Sequence, residues 1–417
     1  MNIARSDKLR GWHVLPGLLL AGVLLAACSA PDEETEALVG VEPEDRVLYV
    51  GVLSDESGPA ASLGRPYAVG FRVLVHQINR GDSELLPEGW RIRLVERDVG
   101  YDAERAVTDF EQIQDRVLFF GSIFGTPPLS AVAPLLEERG IVGFPTSGNS
   151  QLLGNQYTPV TWPTYDHESM RLVDWMVAEG GQDAAIAVVY QDDDYGLDSL
   201  TGMRQAAEHH GIEIATEQAY RPGQRDFTEL VQGLEDAGAG YVLMATLPSA
   251  TLPILQTAAE SGYNPVWAGN FPSWTDDFFR LPEGTRALFN DYHLATPFPY
   301  WGEDTAFMNQ FMEAFEAYTR DRVAVPPNTY TLLAYIQSVV ALEAFARALS
   351  AGDLTRPGYL RALQGIDDFD VYGALDDPLN YSSVPYDTGA RSRILRPRMD
   401  NGDWAEVSPT AQPQAAN

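Results

Sequence analysis

The sequence predicts an α/β fold built from two doubly wound lobes, and three observations support this prediction. Short apolar runs alternate with longer segments whose apolar residues recur at helical spacing, a pattern typical of parallel sheets with helices on both faces. The alternation comes in two runs that are separated near residues 161–165. The chain of 417 residues is 45% hydrophobic and 21% charged, which is ordinary globular composition, and it is long enough for more than one domain.

Strands are predicted where short apolar runs stand between turn-forming residues. The first of them, residues 47–53 (VLYVGVL), ends in a Ser-Asp-Glu-Ser-Gly-Pro turn. The predicted strands are 47–53, 92–95, 117–120 and 141–144 in the first run, 184–190, 212–219, 241–245 and 266–268 in the second, and 394–398 before a polar tail.

Helices are predicted in the segments between these strands. In the first helix, about 64–79, the apolar residues Ala68, Phe71, Leu74 and Ile78 share one face. The other predicted helices are 103–116, 129–139, 196–210, 227–237 and 251–261, followed by two longer ones at 305–320 and 331–349.

The first residues are typical of an export signal. Arg5, Lys8 and Arg10 precede an apolar stretch, 14–27, which has the length of a signal-peptide core and is short for a membrane span. The stretch ends in Leu-Ala-Ala followed by Cys28, which resembles the bacterial lipobox, where the cysteine is lipidated and the chain is cut before it. We therefore expect a signal peptide at 1–27 and a lipidated acidic tether at 28–45; the alternative is an ordinary secretory signal with a chance cysteine.

The charge and the cysteine content exclude several classes of protein. With 59 acidic against 28 basic residues, the formal net charge is −31, which is unsuited to nucleic acid or to docking on anionic lipid by charge. The single cysteine allows neither a disulfide within the chain nor a cysteine-based zinc site. No segment beyond the signal is expected to span a membrane, so residues 46 onward are expected to be soluble and outside the cytoplasm.

Ligands of open α/β sheets bind beyond the carboxyl ends of the strands, so the loops after the strands are the candidate site. Gly125 and Thr126 precede two prolines at a predicted helix start, where free amides and the positive helix end suit a carboxylate or phosphate. The alternative is plain N-capping by Thr126. A polar Pro-Thr-Ser-Gly-Asn-Ser turn follows the strand at 141–144, and Tyr195 is the aromatic residue of the loop after 184–190.

Enzyme motifs are weak or missing in the sequence. The Gly238-Ala-Gly240 pattern lies between a helix and the following strand, the reverse of the order in a nucleotide-binding fingerprint. The histidines have no metal-ligand spacing beyond a lone His210-x-x-Glu213, and neither a nucleophile elbow nor a P-loop occurs. We therefore predict no catalytic residues, no cofactor and no metal site.

The order of several short motifs resembles a known family. They are Ser57-Gly58-Pro59, Gln77-Ile78-Asn79, Arg97-Asp98, APLLE at 133–137, GIVGFP at 140–145, DDDYG at 192–196 and Asp226-Phe227-Thr228. Together with the lipobox they are similar to the periplasmic solute-binding proteins of the leucine/isoleucine/valine-binding type, the type I fold that serves ABC importers. The resemblance implies two Rossmann-like lobes joined by a three-strand hinge that closes on a ligand. Lobe I is expected at 46–163 and 297–370, and lobe II at 164–296 and 371–410.

The resemblance also implies a set of ligand-binding residues. The carboxylate clamp of the family corresponds to Phe124, Gly125, Thr126, Thr146, Ser147 and Gly148, and Tyr195 and Tyr330 correspond to its aromatic residues. Leu63 stands where some relatives have an aromatic residue. Amino-acid binders have an acid after the strand at 266–268 to hold the ligand ammonium, whereas this chain has Asn270 and Phe271 there and no acid before Asp276.

These residues lead to an expected function. The chain is expected to be no enzyme but the substrate-binding lipoprotein of an ABC importer, with membrane permease subunits as partners and attachment by lipid only. A small carboxylate with an apolar or aromatic body, walled by Tyr195, Phe271, Trp274 and Tyr330, is the first choice of ligand. Branched-chain amino acids are the runner-up, with Asp276 or Glu56 as the acid from a distant loop. The alternatives are a ligand-sensing receptor component on the same fold and an extracytoplasmic α/β hydrolase.

Overall fold

The structure is a computed structural model that describes residues 38–180, 185–320, 322, 326 and 328–416. The expected signal peptide, Cys28 and the first part of the expected tether lie outside the described residues. The last part of the tether prediction is wrong, because strand β1 (Val41–Glu42) pairs antiparallel with β2 (Val47–Ser54). Val41 is buried in that pairing, so the ordered fold begins before residue 46.

The first lobe is built on a five-stranded sheet. It contains β1, β2, β3 (Arg91–Asp98), β4 (Phe119–Phe124) and β5 (Gly143–Thr146), and β3, β2, β4 and β5 run parallel. Helices α1 (Ala61–Arg80), α2 (Ala103–Ile113) and α3 (Thr126–Arg139) connect these strands. Strands β2, β4 and β5 are buried on both faces because helices cover both, as in other parallel sheets, whereas β3, with the sequence RIRLVERD, is only partly covered.

The second lobe is built on a seven-stranded sheet in the order β12-β11-β10-β9-β8-β6-β7. Its strands are β6 (Ile186–Gln191), β7 (Ile214–Tyr220), β8 (Tyr241–Ala245), β9 (Val266–Gly269), β10 (Tyr292–Thr296), β11 (Ser392–Arg398) and β12 (Asp403–Ala411). Strand β11 runs antiparallel to both β10 and β12, whereas β6 to β10 are parallel. The helices of this lobe are α4 (Tyr165–Gly180), α5 (Asp194–His210), α6 (Thr228–Asp236), α7 (Pro248–Ser261) and the short α8 (Glu283–Arg286).

After β10 the chain returns to the first lobe, as the resemblance implied. Helices α9 (Ala306–Thr319), α10 (Thr329–Ala351) and α11 (Arg356–Gln364) belong to that lobe. The Gln337 side chain of α10 donates to the Gly121 carbonyl in β4 at 2.9 Å, and Thr331 donates to the Pro66 carbonyl in α1 at 3.0 Å. These bonds hold α10 against both the sheet and α1.

Helix α10 is a segment that is long and apolar enough to span a membrane, which the sequence analysis did not expect. Its most apolar stretch has a mean hydropathy of 1.5. In the structure 78% of this apolar stretch is buried inside the protein. Its hydropathy is therefore that of a core helix covered by other protein elements.

The boundary predicted between lobes at 370/371 is too early. Val371, Leu379, Tyr381 and Tyr386 pack in the core of the first lobe. The Tyr381 hydroxyl donates to the Val160 carbonyl at 2.7 Å. The chain therefore crosses to the second lobe just before β11, since a run of buried aromatic and apolar side chains holds it against the first lobe until then.

The structure also contains elements that the sequence analysis missed. Besides the short β1 and α8, these are α4, β10, α11 and β12, the last of which occupies most of the predicted polar tail. Helix α4 escaped prediction because it buries Glu168, Arg171 and Asp174 as well as apolar residues, so its sequence has no clear apolar face. Strand β12 lies at the edge of the sheet, where only Trp404 is buried and the apolar pattern is correspondingly weak.

Candidate ligand-binding cleft

A narrow cavity lies between the two lobes, at the carboxyl ends of strands from both sheets. The volume of the cavity that the centres of water molecules can occupy is about 40 Å³. On the same measure a single water molecule needs about 10–15 Å³, so the cavity is small. The residues that line it are Leu63, Tyr101, Phe124, Gly125, Thr126, Thr146, Trp162, Tyr165, Glu168, Tyr195, Leu247, Phe271, Pro272, Phe298, Tyr330 and Leu333. The walls are mostly apolar and aromatic with a few polar groups, the composition typical of a small-molecule site.

Most of the residues expected to bind ligand lie around this cavity. Leu63, Phe124, Gly125, Thr126, Thr146, Tyr195, Phe271 and Tyr330 line it. Ser147 and Asn270 are buried directly behind the lining. The Ser147 and Thr126 hydroxyls are 2.8 Å apart, and Asn270 accepts the Tyr195 hydroxyl proton at 2.7 Å. These two residues therefore orient lining side chains and do not form the wall themselves.

The polar end of the cavity is formed by the start of α3 and the end of β5. Gly125 has φ +93°, and a Cβ atom there would lie 2.5 Å from the Tyr101 ring, so glycine is required. Thr126 is the first residue of the helix and its hydroxyl bonds to Ser147, so it is not the N-cap that the alternative interpretation expected. The Thr146 hydroxyl is held 2.9 Å from that of Ser122. A helix start and fixed hydroxyls can bind an anionic group.

Aromatic side chains from both lobes form the walls. Phe271 packs against Tyr330 with ring centres 4.8 Å apart and against Phe298 at 5.0 Å. Tyr195 meets Tyr165 edge to face at 4.8 Å. Burial raises the pKa of Tyr195 and of Tyr330 well above the ordinary range, so both remain neutral. The walls therefore offer apolar surface without charge.

Three residues named from the sequence lie elsewhere. Trp274 is packed among Phe278, Phe289 and Trp404 in the core of the second lobe and does not line the cavity. Asp276 is buried and accepts hydrogen bonds from Trp274 and from both the amide and the hydroxyl of Thr329.

Glu56, the second acid considered for a ligand ammonium, is also engaged elsewhere. It pairs with Arg72 at 3.0 Å on the first lobe. Neither Glu56 nor Asp276 faces the cavity, so neither is placed to meet a ligand ammonium.

The acid that does line the cavity is Glu168, which the sequence analysis missed. It is 1% exposed, and its Oε2 atom accepts the Phe271 amide proton at 2.9 Å. Within the described ranges no donor reaches its Oε1 atom, and no lysine, arginine or histidine lines the cavity. Burial raises the pKa of Glu168 to about 8, and the charge of Asp166 contributes to the rise. No sequence signal marked it, because α4 itself was not predicted.

Side-chain bonds join the two lobes beside the cavity. Ser130 of α3 donates to Asp194 at 2.7 Å, Ser150 donates to Asp198 at 2.5 Å, and the amide nitrogen of the Asn149 side chain donates to the Asp194 carbonyl at 2.9 Å. These contacts hold the lobes against each other, which matches the narrowness of the cavity. Among the described residues no group of three or more histidine, cysteine or acidic side chains is placed to hold a metal ion.

Sequence and structure comparisons agree with this architecture. The profile of the periplasmic binding protein family matches residues 47–380. The Leu/Ile/Val-binding protein homolog 7 of Brucella abortus (strain 2308) is 26% identical over 334 residues, 73% of this chain and 78% of that protein. The homolog 8 protein of Brucella suis biovar 1 (strain 1330) is 24% identical over 371 residues, 84% and 86% of the two chains.

Two solved structures have the same fold as this chain. The fatty acid ABC transporter substrate-binding protein from Thermomonospora curvata superposes with a TM-score of 0.82 at 23% identity, covering 91% of this chain and 95% of its own. A branched chain amino acid ABC transporter protein from Thermus thermophilus with bound valine superposes with a TM-score of 0.77 at 22% identity, covering 90% and 98%. The resemblance stated from the motifs is thereby confirmed, and the chain belongs to the periplasmic binding protein family, in its leucine/isoleucine/valine-binding type, whose members bind small molecules outside the cytoplasm.

Proposed function

We propose that this protein is the substrate-binding lipoprotein of an ABC importer and that it captures a small organic ligand with an apolar body between its lobes. The observation that supports this most is the cavity itself. It is enclosed by both lobes, its walls are aromatic and apolar, and its polar groups are gathered near Thr126, Thr146 and Glu168. Closure around a ligand would present it to a permease without any chemical step.

The polar end of the cavity favours a ligand with a carboxylate. The start of α3 and the hydroxyls of Thr126 and Thr146 suit an anionic head, and the rings of Phe271 and Tyr330 suit an apolar body. A carboxylate with an aliphatic or aromatic body is the first choice, and a branched-chain amino acid is the second. Two structural neighbours match these two choices, one described as a fatty acid transporter component and one holding valine.

A ligand panel tests this function directly. The purified protein would be melted with leucine, valine, isocaproate, hydrocinnamate and octanoate, each at millimolar concentration. We expect at least one carboxylate to raise the melting temperature, because a ligand at a hundred times its Kd stabilises the folded state by about 2.7 kcal/mol. Thr126→Val should weaken that ligand about tenfold, whereas Thr201→Val, on the exposed side of α5, should leave it unchanged. A melting temperature that no member of the panel moves would contradict the proposal.

Attachment to the membrane is tested at Cys28. The lipobox at 25–28 predicts that this thiol is acylated, and stable anchoring requires more than one acyl chain. In Cys28→Ala cells we expect the protein to move from the membrane fraction to the soluble extracytoplasmic fraction or to accumulate uncleaved. Intact mass measurement of the wild-type protein is the check, and a mature chain without added lipid mass would rule out the anchor.

A further inference from the structure

Glu168 presents one oxygen atom to an apolar cavity that offers it no positive charge. Its Oε2 atom accepts the Phe271 amide proton at 2.9 Å, and within the described part of the chain its Oε1 atom has no protein donor. The residue is 1% exposed and lines the same cavity as Thr126 and Thr146. An ionised carboxylate in such a place would be a buried charge without a partner, which is strongly unfavourable.

The groups that face Glu168 increase this difficulty and supply no compensating charge. Asp166, on the same helix, adds a second negative charge nearby. The other titratable groups that interact with Glu168 are the neutral phenols of Tyr165, Tyr195 and Tyr330, from α4, α5 and α10. Burial is the main cause that raises the pKa of Glu168 to about 8. In a protonated Glu168 the oxygen that accepts the Phe271 amide proton would be the carbonyl oxygen, which leaves the O–H on the Oε1 side free for a ligand.

Glu168 also borders the polar end of the cavity. Tyr165 and Glu168 are three residues apart in the first turn of α4, so they lie on one face of the helix. The Tyr165 amide donates to the Gly148 carbonyl at 2.8 Å, and a Cβ atom on Gly148 would lie 3.2 Å from the Tyr165 ring, which places this ring beside the predicted carboxylate clamp. A ligand carboxylate at Thr126 and Thr146 would therefore lie near the Glu168 O–H.

We propose that Glu168 binds ligand in its protonated form, donating a hydrogen bond from its O–H to the ligand carboxylate, and that the cleft thereby selects monocarboxylates without an α-ammonium group. The inference rests on the proposed function, since it names the ligand class of the same cavity. The proton stays between the two carboxyl groups, so no other proton acceptor is needed. A ligand ammonium group would instead require Glu168 to lose its proton first. Glu168 is the one acid among the described residues that line the cavity, so no second carboxylate there could bind the ammonium in its place.

The two ligand classes predict opposite responses to pH. A monocarboxylate needs the protonated acid, so its affinity should be level between pH 6 and about 8 and then fall about tenfold per pH unit. An amino acid needs the ionised acid, so its affinity should rise about tenfold per unit up to about pH 8, then level, and fall again once the ligand ammonium loses its own proton. Binding of the monocarboxylate should take up close to one proton per ligand near pH 9 and almost none near pH 7.

The experiment is calorimetric titration of the full mature protein with matched ligand pairs. The pairs are isocaproate with leucine and hydrocinnamate with phenylalanine, each pair differing only by the amino group, titrated from pH 6 to 10 in buffers of different ionisation enthalpy. We expect the des-amino member to bind at least tenfold more tightly at pH 7 and to show the fall above pH 8. Glu168→Gln, which keeps a neutral donor, should bind it within a few-fold of wild type and lose the pH dependence.

Each outcome bears on one proposal. Tighter binding of leucine or phenylalanine with proton release at pH 7, or loss of all carboxylate binding in Glu168→Gln, would overturn the role of Glu168 while leaving the transport function in place. A des-amino ligand whose affinity does not change up to pH 10 would overturn it as well. If wild-type protein binds no member of either pair and no other carboxylate of the panel, the proposed function itself fails.

Discussion

Glu168→Gln is expected to remove a large part of the stability loss that the ligand-free protein undergoes between pH about 4.5 and pH about 8. The pKa of Glu168 is raised from 4.5 to about 8, chiefly by burial. In that window the folded protein keeps a proton that the unfolded chain has released, so raising the pH favours the unfolded state. The slope for one such group approaches about 1.4 kcal/mol per pH unit, and the total over the window amounts to several kcal/mol. Glutamine has no proton to lose and should not contribute this slope.

The measurement is the free energy of unfolding by urea at half-unit pH steps for wild type and variant. The difference between them should be small near pH 4.5 and should grow in favour of Glu168→Gln as the pH approaches 8. Asp198, whose pKa is raised to about 7 by burial, adds a slope of the same sign to both proteins and therefore cancels in the comparison. Glu111→Gln, at an exposed position of α2, is the matched control and should follow wild type throughout. Parallel curves for wild type and Glu168→Gln would contradict the burial of an ionisable acid at this position.

Asp276→Ala is expected to lower the free energy of unfolding by about 3 kcal/mol. The carboxylate accepts the Trp274 indole proton at 3.0 Å, the Thr329 amide proton at 2.5 Å and the Thr329 hydroxyl proton at 2.8 Å, and all three donors are buried. Removing the acceptor leaves buried donors without partners, each of which costs about 1–3 kcal/mol. The bonds also connect the segment after β9 in the second lobe to the start of α10 in the first, so we expect ligand affinity to fall as well.

The adjacent residue provides the control for this variant. Asp277 is exposed and pairs with Arg280 at the surface. Asp277→Ala should therefore change the free energy of unfolding by less than about 1 kcal/mol. Asp276→Asn keeps part of the acceptor capacity and should fall between wild type and Asp276→Ala. Equal losses for Asp276→Ala and Asp277→Ala in chemical denaturation would show that the buried bonds do not contribute as inferred.

Parts of the fold were readable from the sequence because the determining interactions are local. Residues 47–53 are an apolar run followed by turn residues, and the structure has β2 at Val47–Ser54. The loop at Gly125 and Thr126 was recognisable because a glycine before Pro-Pro is typical of a helix start. Motif order then indicated which strand ends form the cleft, so eight of the predicted residues line it: Leu63, Phe124, Gly125, Thr126, Thr146, Tyr195, Phe271 and Tyr330.

Other parts of the site depend on packing that no local pattern records. Trp274 and Phe271 are both aromatic residues after the same strand, yet Phe271 faces the cavity and Trp274 faces the core. The choice between them depends on the 3₁₀ turn at Phe271–Ser273, which rotates successive side chains to different sides. Asp276 looked available for a ligand in the sequence, but its carboxylate is saturated by Thr329, which is distant in the chain.

The sequence by itself determined the alternation of strands and helices, the two-lobed class, the family motifs and the loops that meet at the cleft, because periodicity and turn chemistry act between neighbours in the chain. Only the tertiary structure decided that Glu168 is the acid in the cavity, that Asp276 and Glu56 are not, and that the chain stays with the first lobe past residue 371. The physical reason is desolvation: whether a carboxylate is buried, paired or exposed depends on residues brought to it from distant segments. In α4 this burial of polar groups removed the very pattern by which a helix is recognised.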